Sequence, residues 1–367
     1  MDPATRAVYE ASAEAWAERR PARHREAAAG FARRCLPGRP AVDLGSGPGS
    51  YFDDLGRPLV ALDGARAMLE LARGRDPGVP LVQADLTALP FRRGSLGGAW
   101  ARASYLHLPR TALPAALAHL HGALAPSAPV ELTWRAGQGE GPLPGDDFPG
   151  RFFAHWEEPD LRDVVHGAGF DIDGLERHGE WLTLRGRRAR TLPDFVGGGM
   201  RILVCGLNPS VRSADAGFGF AGPNNRFWGA ALASGLIPAS AHRRPLAALA
   251  DGIGMTDLVK RATARASELS RAEYRDGAAR VSRLIAWMQP RLCLFVGLEG
   301  WRVAVDPAAR PGRQPEPFSG AVAWVMPSTS GLNARSSAEE LATHMAEAAA
   351  LAQRLRPGSR ARGRRRG

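Results

Sequence analysis

Short apolar runs alternate with helical patterns over the first half of the chain. Four of these runs are apolar enough to be buried parallel strands: AVDLG (41–45), LVALD (59–63), PLVQAD (80–85) and APVELTW (128–134). Helical patterns cover 4–20, 23–36 and 65–75, and two runs within 171–188 predict a β-hairpin with glycine-bearing turns. The alternation predicts a doubly wound α/β domain over residues 1–190.

A second alternation of strand and helix follows. A stretch with one proline and three consecutive glycines predicts a linker over 191–199. Beyond it, a long helical pattern covers 270–289, and a capping box formed by Ser337 and Glu340 begins the last helix. The expected strands are RILVCG (201–206), RLCLFVG (291–297) and AVAWVMP (321–327). We therefore predict a second domain over 200–356, and a fold class of two three-layer α/β/α domains.

Arginine dominates the charge of the chain. Lys and Arg together number 48 against 37 Asp and Glu, which gives a formal net charge of +11 at pH 7. A positive balance favours an anionic partner such as nucleic acid, although an arginine-rich composition also arises without one. The segment 357–367 holds five arginines. We expect it to be a disordered basic tail that contacts phosphate or only keeps the chain in solution.

The composition argues against metal chemistry and against a membrane protein. The three cysteines, Cys35, Cys205 and Cys293, lie far apart, which excludes a four-cysteine iron–sulfur or zinc site built by this chain alone. No His, Asp and Glu cluster has ligand spacing, and the HLH run at 119–121 is interpreted as surface histidines. Since no stretch has the roughly 18 apolar residues of a membrane span, we expect a cytoplasmic, nucleoid-associated monomer.

A glycine-rich loop follows the first predicted strand. Gly45, Gly47 and Gly49 lie in AVDLGSGPGSY, where glycines let backbone N–H groups approach a ligand closely. Asp63 ends the second strand, where a carboxylate can accept both hydroxyls of a ribose, and Asp85 ends the third. Either acid alone can instead cap a helix, but the combination indicates a nucleotide-like ligand.

These residues resemble the class I S-adenosylmethionine-dependent methyltransferases over residues 1–190. A dinucleotide-binding dehydrogenase would need a third Gly or Ala where this chain has Ser50. The resemblance implies S-adenosylmethionine as cofactor, with the glycines along its methionine part, Asp63 at the ribose and Asp85 beside the adenine. The cofactor-binding residues it implies are Asp43, Gly45, Gly47, Gly49, Asp63 and Asp85.

The methyl acceptor is not identified by the sequence. The region around the fourth strand, GSLGGAWARASYLHLP, lacks the Pro-Pro signature of amino-methylating DNA enzymes, and no Pro-Cys pair offers a nucleophile for cytosine. Tyr105 and His107 lie where groups on the acceptor side often occur. A packed aromatic ring and a surface histidine are the simpler interpretations, and the domain most resembles methyltransferases of small molecules.

An amide, Asn208, follows the first strand of the second domain, between Gly206 and Pro209. An amide cannot act as a base, but its oxygen can orient a water molecule. That is enough where the substrate ionises largely by itself, as a glycosidic carbon does when uracil departs as an anion. Phe218 and Phe220 lie in a glycine-rich loop where a ring can cover an extruded base.

Four motifs in order resemble the mismatch-specific uracil-DNA and thymine-DNA glycosylases over about 200–355: GLNPS, GFGFAGPNNRFWG, GIGMTDLV and VMPSTSGLNAR. The resemblance implies that Asn208 positions the attacking water and that the partner is double-stranded DNA with uracil mismatches. It implies a base pocket with Gly206, Leu207, Ser213 and Phe220. It implies a wedge that enters the duplex, formed by Ser330, Gly331, Leu332, Asn333 and Arg335. Residues 225–228 are expected to support the pocket.

The chain departs from that family at several positions. Ser210 replaces a glycine, and Asn333 with Ala334 replaces the usual Ser-Arg, so that Arg335 would have to assist in contacting guanine. Ser213 matches the uracil enzymes and predicts a preference for uracil over thymine. Lys260 is the only lysine; since it is expected to contact phosphate, the enzyme is predicted to be monofunctional and to need no cofactor.

The sequence thus predicts a uracil DNA glycosylase fused to a methyltransferase of unknown acceptor. Two alternatives remain open at this stage. The second domain can be a binder of damaged DNA without catalysis, or the methyltransferase can be the main activity with the second domain as a DNA-targeting module.

Overall fold

The computed structural model describes residues 1–355, and the predicted basic tail at 357–367 lies outside them. The chain divides into two compact units, the first over Met1–Ala189 and the second from Arg190 onward. In the described residues, no helix combines the length and the apolar character that crossing a membrane requires.

The first unit begins with three helices, α1 (Pro3–Ala11), α2 (Ala13–Arg19) and α3 (Arg25–Ala32). It continues with β1 (Ala41–Leu44), β2 (Leu59–Asp63), α4 (Arg66–Arg75), β3 (Leu81–Gln83), β4 (Gly98–Ala101), α5 (Leu113–Ala123) and β5 (Pro129–Ala136). It ends with β6 (Glu140–Pro142), β7 (Phe152–Trp156), α6 (Glu158–Gly167), β8 (Phe170–His178) and β9 (Trp181–Arg188). The single helix predicted over 4–20 is two helices, because the backbone at Ser12 leaves helical geometry.

The sheet of the first unit has nine strands, of which seven follow the order β3-β2-β1-β4-β5-β9-β8. The strand β7 pairs in parallel with the last residues of β5 and antiparallel with β6. The strands β1 to β5 run parallel, and β9 lies antiparallel to both β5 and β8. The predicted hairpin is therefore present as β8 and β9. Because β1 is central and parallel to its neighbours β2 and β4, the carboxyl ends of these strands meet at one edge, where ligands bind in open α/β sheets.

The second unit contains β10 (Ile202–Gly206), α7 (Val211–Ala216), α8 (Phe227–Ala233), α9 (Pro245–Ala250), β11 (Ile253–Asp257) and α10 (Arg271–Met288). It continues with β12 (Leu292–Val296), α11 (Leu298–Ala304), β13 (Gly312–Arg313), β14 (Val322–Met326) and α12 (Ala338–Arg354). The sheet order is β11-β10-β12-β14-β13, parallel except for the edge strand β13. The predicted capping box of Ser337 and Glu340 begins α12. The fold class predicted from the sequence is confirmed for both units.

The segment 191–199 is not a linker but part of the second unit. Leu192, Phe195 and Val196 are buried, and Phe195 exchanges two backbone hydrogen bonds of 2.9 Å with Met255 on β11. The glycines that suggested flexibility lie at the end of the segment, whereas the residues before them are apolar side chains that gain from burial.

A buried ionic cluster fixes that segment to the sheet. The Asp194 carboxylate accepts from Lys260 Nζ at 2.9 Å, from Arg280 Nη1 at 2.6 Å and from Thr256 Oγ1 at 2.6 Å. Lys260 is only 5% exposed. The expectation that Lys260 contacts phosphate is therefore wrong, because this ammonium neutralises a buried carboxylate instead.

Two candidate functional sites

The glycine loop of the first unit follows β1 and has an unusual backbone. Gly45, Gly47 and Gly49 have φ of 71°, 53° and 75°, which side-chain-bearing residues rarely adopt. A Cβ on Gly45 would lie 2.4 Å from Cβ of Ser104, so the strand β4 region approaches the loop closely. A Cβ on Gly49 would instead meet the core ring of Phe52 at 2.5 Å. Gly49 is thus required for packing as well as for its φ.

Asp63 holds the glycine loop from the neighbouring strand. Its two carboxylate oxygens accept from the backbone N–H groups of Gly47 and Ala65, each at 2.9 Å. Burial raises the pKa of Asp63, and hydrogen bonds from Ala65 and Gly47 oppose that rise. The side chain therefore shapes the loop and the start of α4, and each oxygen keeps a further lone pair for a ligand.

Asp43 lies inside β1 beside this loop. It is 2% exposed, and its Oδ2 atom has no hydrogen-bond partner among the described residues. Burial, together with the nearby Asp63, raises the pKa of Asp43 to about 8. Such a carboxyl lacks the compensation that buried acids normally have.

A cavity of about 590 Å³ opens at this edge of the sheet. Four of the six predicted cofactor residues line it: Asp43, Gly45, Gly47 and Asp63. Gly49 and Asp85 are not among its lining residues. The carboxylate of Asp85 instead accepts from the ammonium of Met1 and, at 2.8 Å, from both the backbone N–H and the hydroxyl of Thr87.

The lining of the cavity also includes Tyr9, His107 and Arg151. His107 is 3% exposed rather than on the surface; its Nδ1 lies 2.6 Å from the carbonyl of Phe152 and its Nε2 lies 2.8 Å from the hydroxyl of Tyr9. Burial lowers the pKa of His107 to about 4, so the neutral ring donates through Nδ1 and accepts from Tyr9. Arg151 Nη1 donates to the same Tyr9 oxygen at 3.1 Å.

Two further predictions for this region have opposite outcomes. Tyr105 is a buried ring stacked on Trp134, as the simpler interpretation held. His121, in contrast, is buried and lies 3.2 Å through Nε2 from the carbonyl of Ala189, so it is not a surface histidine. The residues that flank His107 and His121 in the sequence are mostly apolar. Such a pattern does not show whether a histidine is buried or exposed.

In the second unit, the side chain of Asn208 is fixed through its nitrogen. Nδ2 donates to the carbonyl oxygens of Pro209 at 3.2 Å and Arg261 at 3.0 Å, and to the hydroxyl of Thr263 at 2.8 Å. Two of these partners can only accept, so the amide oxygen must point away from them. No donor within residues 1–355 engages that oxygen, and the side chain is half-buried.

The loop after β10, which contains Asn208, is hydrogen-bonded to the segment 261–263 that fixes the Asn208 side chain. The N–H of Thr263 donates to the carbonyl of Pro209 at 3.2 Å, and the carbonyl of Thr263 accepts from the N–H of Val211 at 3.3 Å. The same segment follows Lys260 directly, so the Asp194 cluster supports it from the core. The amide is therefore held by backbone that is itself tied down at both ends.

The ring of Phe220 lies beside this loop. Phe220 has a φ of 60°, and its ring stacks on Phe227 with centroids 4.0 Å apart and planes 15° from parallel. Ser213, predicted to contact the base, uses its hydroxyl for the loop: it accepts from the backbone N–H of Ala221 at 3.2 Å and from Ser210 Oγ at 3.0 Å. These two bonds tie Ser213 to the loop next to Phe220 and leave its own hydroxyl hydrogen available, so the predicted base contact stays a prediction.

Gly206 and Leu207, also predicted in the base pocket, face different neighbours. A Cβ on Gly206 would lie 2.7 Å from Oδ1 of Asp257 and 3.5 Å from Cζ of Phe220. The side chain of Leu207 packs toward Gly300 on α11, away from that group. Phe218 packs edge-on against Trp228 at 6.2 Å, so of the two loop phenylalanines only Phe220 lies against Gly206.

The loop at 330–335 presents one apolar side chain to solvent. Leu332 is 95% exposed, the most exposed large hydrophobic residue of the described chain. Arg226 holds the loop from below, since its guanidinium donates to the carbonyls of Ser330 at 3.3 Å, Asn333 at 2.7 Å and Ser336. Residues 225–228 were predicted to support the base pocket; Phe227 stacks on Phe220, whereas Arg226 holds this loop.

Asn333 and Arg335 differ in what they offer to a duplex. The side-chain nitrogen of Asn333 donates to the carbonyl of Ser328 at 2.8 Å, and its oxygen accepts from the N–H of Arg335 at 3.2 Å. Both ends of this amide are thus used inside the loop, which leaves the exposed Arg335 side chain as the polar group beside Leu332. A guanine contact by the Asn333 side chain would require the loop to open.

Among the described residues, no group of His, Cys, Asp and Glu is arranged to hold a metal ion.

Comparisons with known proteins match both halves of the chain. Residues 193–352 match the model of the uracil DNA glycosylase superfamily, and residues 41–127 match that of a methyltransferase domain.

Three solved structures are similar to this chain. An S-adenosylmethionine-dependent methyltransferase from Mesorhizobium loti is 20% identical with a TM-score of 0.39, covering 46% of this chain and 98% of its own. The 1,6-didemethyltoxoflavin-N1-methyltransferase of Burkholderia thailandensis is 19% identical (TM-score 0.40; 51% and 88%), and DhpI in complex with SAH is 22% identical (TM-score 0.41; 51% and 96%). On the two family matches, the chain joins a methyltransferase domain to a domain of the uracil DNA glycosylase superfamily.

Proposed function

We propose that the second domain is a monofunctional DNA glycosylase that removes uracil opposite guanine by hydrolysing the N-glycosidic bond. The observation that carries this proposal is the fixed amide of Asn208, whose nitrogen is bound on three sides and whose oxygen is free. A free, oriented carbonyl oxygen can hold a water molecule through one of its hydrogens and direct a lone pair at the sugar carbon.

The chemistry asks little of the protein beyond that positioning. As the bond from the sugar carbon to the base breaks, the electron pair leaves with uracil, and water bonds to the carbon and loses one proton, which through solvent neutralises the uracil anion. The amide is held firmly enough for this, since its nitrogen donates to backbone carbonyls at 3.2 and 3.0 Å. A rigid acceptor keeps the water in line without the reorganisation that a mobile side chain would need.

The position of the only lysine supports a monofunctional reaction. A lyase step needs an amine that attacks the sugar, but Lys260 Nζ is buried against Asp194 at 2.9 Å. An amine that is 5% exposed and bonded to a buried carboxylate is not accessible to a sugar. Base removal would therefore leave an abasic site in an uncut strand.

The exposed Leu332 supports action on duplex DNA. A glycosylase must extrude its target nucleotide and pays a few kcal/mol for unstacking it. An apolar side chain that is 95% exposed on a braced loop can fill the gap left in the stack, and Phe220 can cover the extruded base. Arg335 adds a cation for the backbone or the unpaired guanine.

An alkali-cleavage assay tests the glycosylase. A labelled duplex with one uracil opposite guanine is incubated with excess protein, and half of the sample is then heated in alkali, which cuts at abasic sites. We expect cleavage only in the heated half, and an Asn208→Ala variant of unchanged melting temperature should be slower by about 10²–10⁴-fold. If the wild-type protein yields no cleavage at enzyme excess, the proposal is wrong and a binding role remains.

We further propose that the first domain binds S-adenosylmethionine and transfers its methyl group to an acceptor not yet identified. The fit rests on the unpartnered, buried Oδ2 of Asp43 and on the close backbone approach at Gly45 and Gly47. The cofactor supplies an electrophilic methyl group on a positively charged sulfur. Asp63 would hold its ribose hydroxyls, the glycines its methionine part, and the uncompensated carboxyl of Asp43 suits a ligand with positive charge.

A further inference from the structure

The cavity of the first unit is lined by more arginine side chains than its carboxylates pair with. Of its six arginines, three are bound by acids that also line the cavity. These pairs are Arg20 with Asp147, Arg151 with Asp146, and Arg135 with Glu180. Arg19, Arg23 and Arg102 form no ion pair with a carboxylate within residues 1–355. The remaining acids of the lining, Asp43 and Asp63, are the proposed cofactor contacts, so positive charge is left for a second ligand.

Arg102 is the half-buried member of this group and lies beside the glycine loop. It directly follows β4, and a Cβ on Gly45 would lie 2.4 Å from Cβ of Ser104, two residues further on. Arg102 Nη2 lies 2.5 Å from Nε2 of His24. Burial, Arg102 and Arg23 all lower the pKa of His24, so its neutral ring accepts this hydrogen bond. The guanidinium is thus held by a neutral partner and keeps further N–H groups for a ligand.

No acid in contact with Arg102 compensates its charge in the described part of the chain. Burial lowers the pKa of Arg102, whereas Tyr51 and Glu131 act in the opposite direction. Glu131 is itself paired with Arg34 at 2.6 Å and with Arg185 at 3.7 Å. A half-buried cation that lines a cavity without a carboxylate partner is stabilised when a ligand supplies an anion.

The histidines of the described lining are engaged, which limits the reactions that the cavity supports. Both ring nitrogens of His107 are bound, Nδ1 to the carbonyl of Phe152 and Nε2 to the hydroxyl of Tyr9. Nε2 of His24 is used by Arg102, and burial raises the pKa of Tyr9. Apart from the proposed cofactor contacts, the acids of the lining are held by arginines. An acceptor that must first lose a proton would therefore lack a base among these residues.

We propose that the methyl acceptor is a small acid whose carboxylate or phosphoryl group is bound by Arg102 and methylated on an anionic oxygen. This inference rests on the proposed methyltransferase function of the first domain. The planar guanidinium can bond two oxygens of such a group at once. An oxyanion already carries the lone pair that attacks the methyl group, so it needs no base.

The atoms and charges of this reaction balance without a proton transfer. A lone pair of the acceptor oxygen forms a bond to the methyl carbon as the bond from that carbon to sulfur breaks. The electron pair of the broken bond stays on sulfur. The negative charge of the acceptor and the positive charge of the sulfonium cancel, which leaves a methyl ester and a neutral thioether.

The size and the lining of the cavity indicate which probes to use. A volume of about 590 Å³ has to hold both the cofactor and the acceptor, which suits a small molecule. Trp16, Phe153 and Trp181 add aromatic rings to the lining. Benzoate and phenylphosphonate join an aromatic ring to an oxyanion, and benzamide is a neutral counterpart of similar shape.

The first measurement is the calorimetric binding of these probes to the full chain saturated with S-adenosylhomocysteine. We expect at least one of the two acids to bind at least tenfold more tightly than benzamide, because a hydrogen bond to a charged group is stronger than one to an amide. Arg102→Ala should abolish this preference. Arg102→Lys keeps the charge but not the planar fork and should retain part of it. Arg73→Ala, at an exposed arginine outside the cavity, is the control and should match the wild type.

A transfer measurement distinguishes the two kinds of acid. The probes are incubated with S-adenosylmethionine that is labelled in its methyl group. Label that becomes volatile in mild alkali marks a carboxylate ester, whereas alkali-stable label on phenylphosphonate marks a phosphonate ester. Label that passes to benzylamine or benzyl alcohol instead of to the acids would overturn the inference.

The outcomes separate this inference from the function on which it rests. If S-adenosylhomocysteine binds while the acids and benzamide bind equally, or if a folded Arg102→Ala variant keeps the preference, the inference about the acceptor is disproved and cofactor binding stands. If no cofactor binds but the acids bind through Arg102, the methyltransferase proposal falls and the anion site is upheld. If neither the cofactor nor the acids bind, both are overturned.

Discussion

The two domains place their key loops at the same position, after a central strand of a parallel sheet, but build them differently. After β1, three glycines of positive φ form the loop, and their N–H groups donate to the carbonyls of Leu62 and Ser46 and to the carboxylate of Asp63 on the next strand. After β10, Pro209 stiffens the loop, and backbone carbonyls hold the side chain of Asn208. The first loop is fixed through its main chain, whereas the second immobilises one side chain.

The buried carboxyl groups of the two domains differ in their hydrogen-bond partners. In the first domain Asp43 is buried, and within residues 1–355 its Oδ2 atom has no hydrogen-bond partner. In the second, Asp194 gathers a lysine and an arginine, each within 2.9 Å. One buried acid thus keeps an oxygen without a partner in the described residues, whereas the other is paired with two cations.

The largest effect is expected from removing the carboxylate of Asp194, which is paired with Lys260 and Arg280. Asp194→Ala leaves Lys260 and Arg280 buried without their carboxylate, which costs about 3–5 kcal/mol of unfolding free energy in the second domain. Denaturant unfolding followed by a tryptophan signal measures it, and Arg190→Ala, which removes an exposed ion pair with Asp215, should show no measurable change.

The pH dependence of that effect has a defined sign. The two neighbouring cations hold the pKa of Asp194 below its usual value despite burial. The stability it contributes is therefore present above about pH 4 and is lost as pH falls below that value. The gap between wild type and Asp194→Ala should be constant from pH 5 to 8 and narrow in acid; a gap that widens in acid would contradict this account.

Exchanging amide for acid tests the second loop itself. Asn208→Asp has no N–H to donate to the carbonyls of Pro209 and Arg261, so the side chain loses its fixed orientation. We expect single-turnover uracil excision to fall about 100-fold, equivalent to about 2.7 kcal/mol. Asn225→Asp is the matched control, because Asn225 acts as an acceptor for the N–H of Phe227, a role that a carboxylate retains. Equal losses in both variants would refute the argument.

The reverse exchange tests the first loop. Asp63→Asn turns a donor toward one of the two backbone N–H groups, at Gly47 or Ala65, that the carboxylate now satisfies. The lost bond is worth about 1–3 kcal/mol, and S-adenosylmethionine affinity should fall at least tenfold by calorimetry. Asp53→Asn, an exposed neighbour, should bind as the wild type does; a normal affinity for Asp63→Asn would separate this acid from the cofactor.

The smallest expected effect is the release of less than one proton when S-adenosylmethionine binds to the first domain. Because the pKa of Asp43 is raised to about 8, it is mostly protonated at pH 7, and a cationic ligand should displace that proton. Calorimetry in buffers of different ionisation enthalpy should therefore show proton release on S-adenosylmethionine binding at pH 7 but not at pH 9. Asp43→Asn should show none at either pH, and the absence of release from the wild type would disconnect Asp43 from the ligand.

Stability provides an independent reading of the same group. The folded state keeps a proton on Asp43 that the unfolded state has lost between about pH 4 and pH 8, so its contribution to stability declines as pH rises through that window. The stability of Asp43→Asn relative to wild type should accordingly increase from pH 5 to pH 8.

The sequence predicted those features that depend on residues close together in the chain. Buried strands, the hairpin and the capping box at Ser337 are set by neighbours within a few residues, and the structure contains them. The strand β11 lies in a motif that had been noted only for its family resemblance, because its glycines and polar residues hide a strand pattern.

Contacts between distant residues were not accessible in this way. Tyr9 meets His107 across 98 positions, and Asp194 meets Lys260 across 66. Nothing local marks a lysine as buried or a histidine as enclosed, and both were interpreted as exposed. In the same way Ser213 was assigned by resemblance to the base, whereas its bond to Ala221 is visible only once the loop is folded.

The clamp formed by Arg226 has a mechanical consequence. Its guanidinium grips the carbonyls of Ser330 and Asn333, and its main chain leads directly into Phe227, on which Phe220 rests. The loop that carries Leu332 and the stacked rings of Phe220 and Phe227 are therefore joined through a single residue. If the domain acts on duplex DNA as proposed, insertion of Leu332 and seating of the extruded base should be coupled through Arg226.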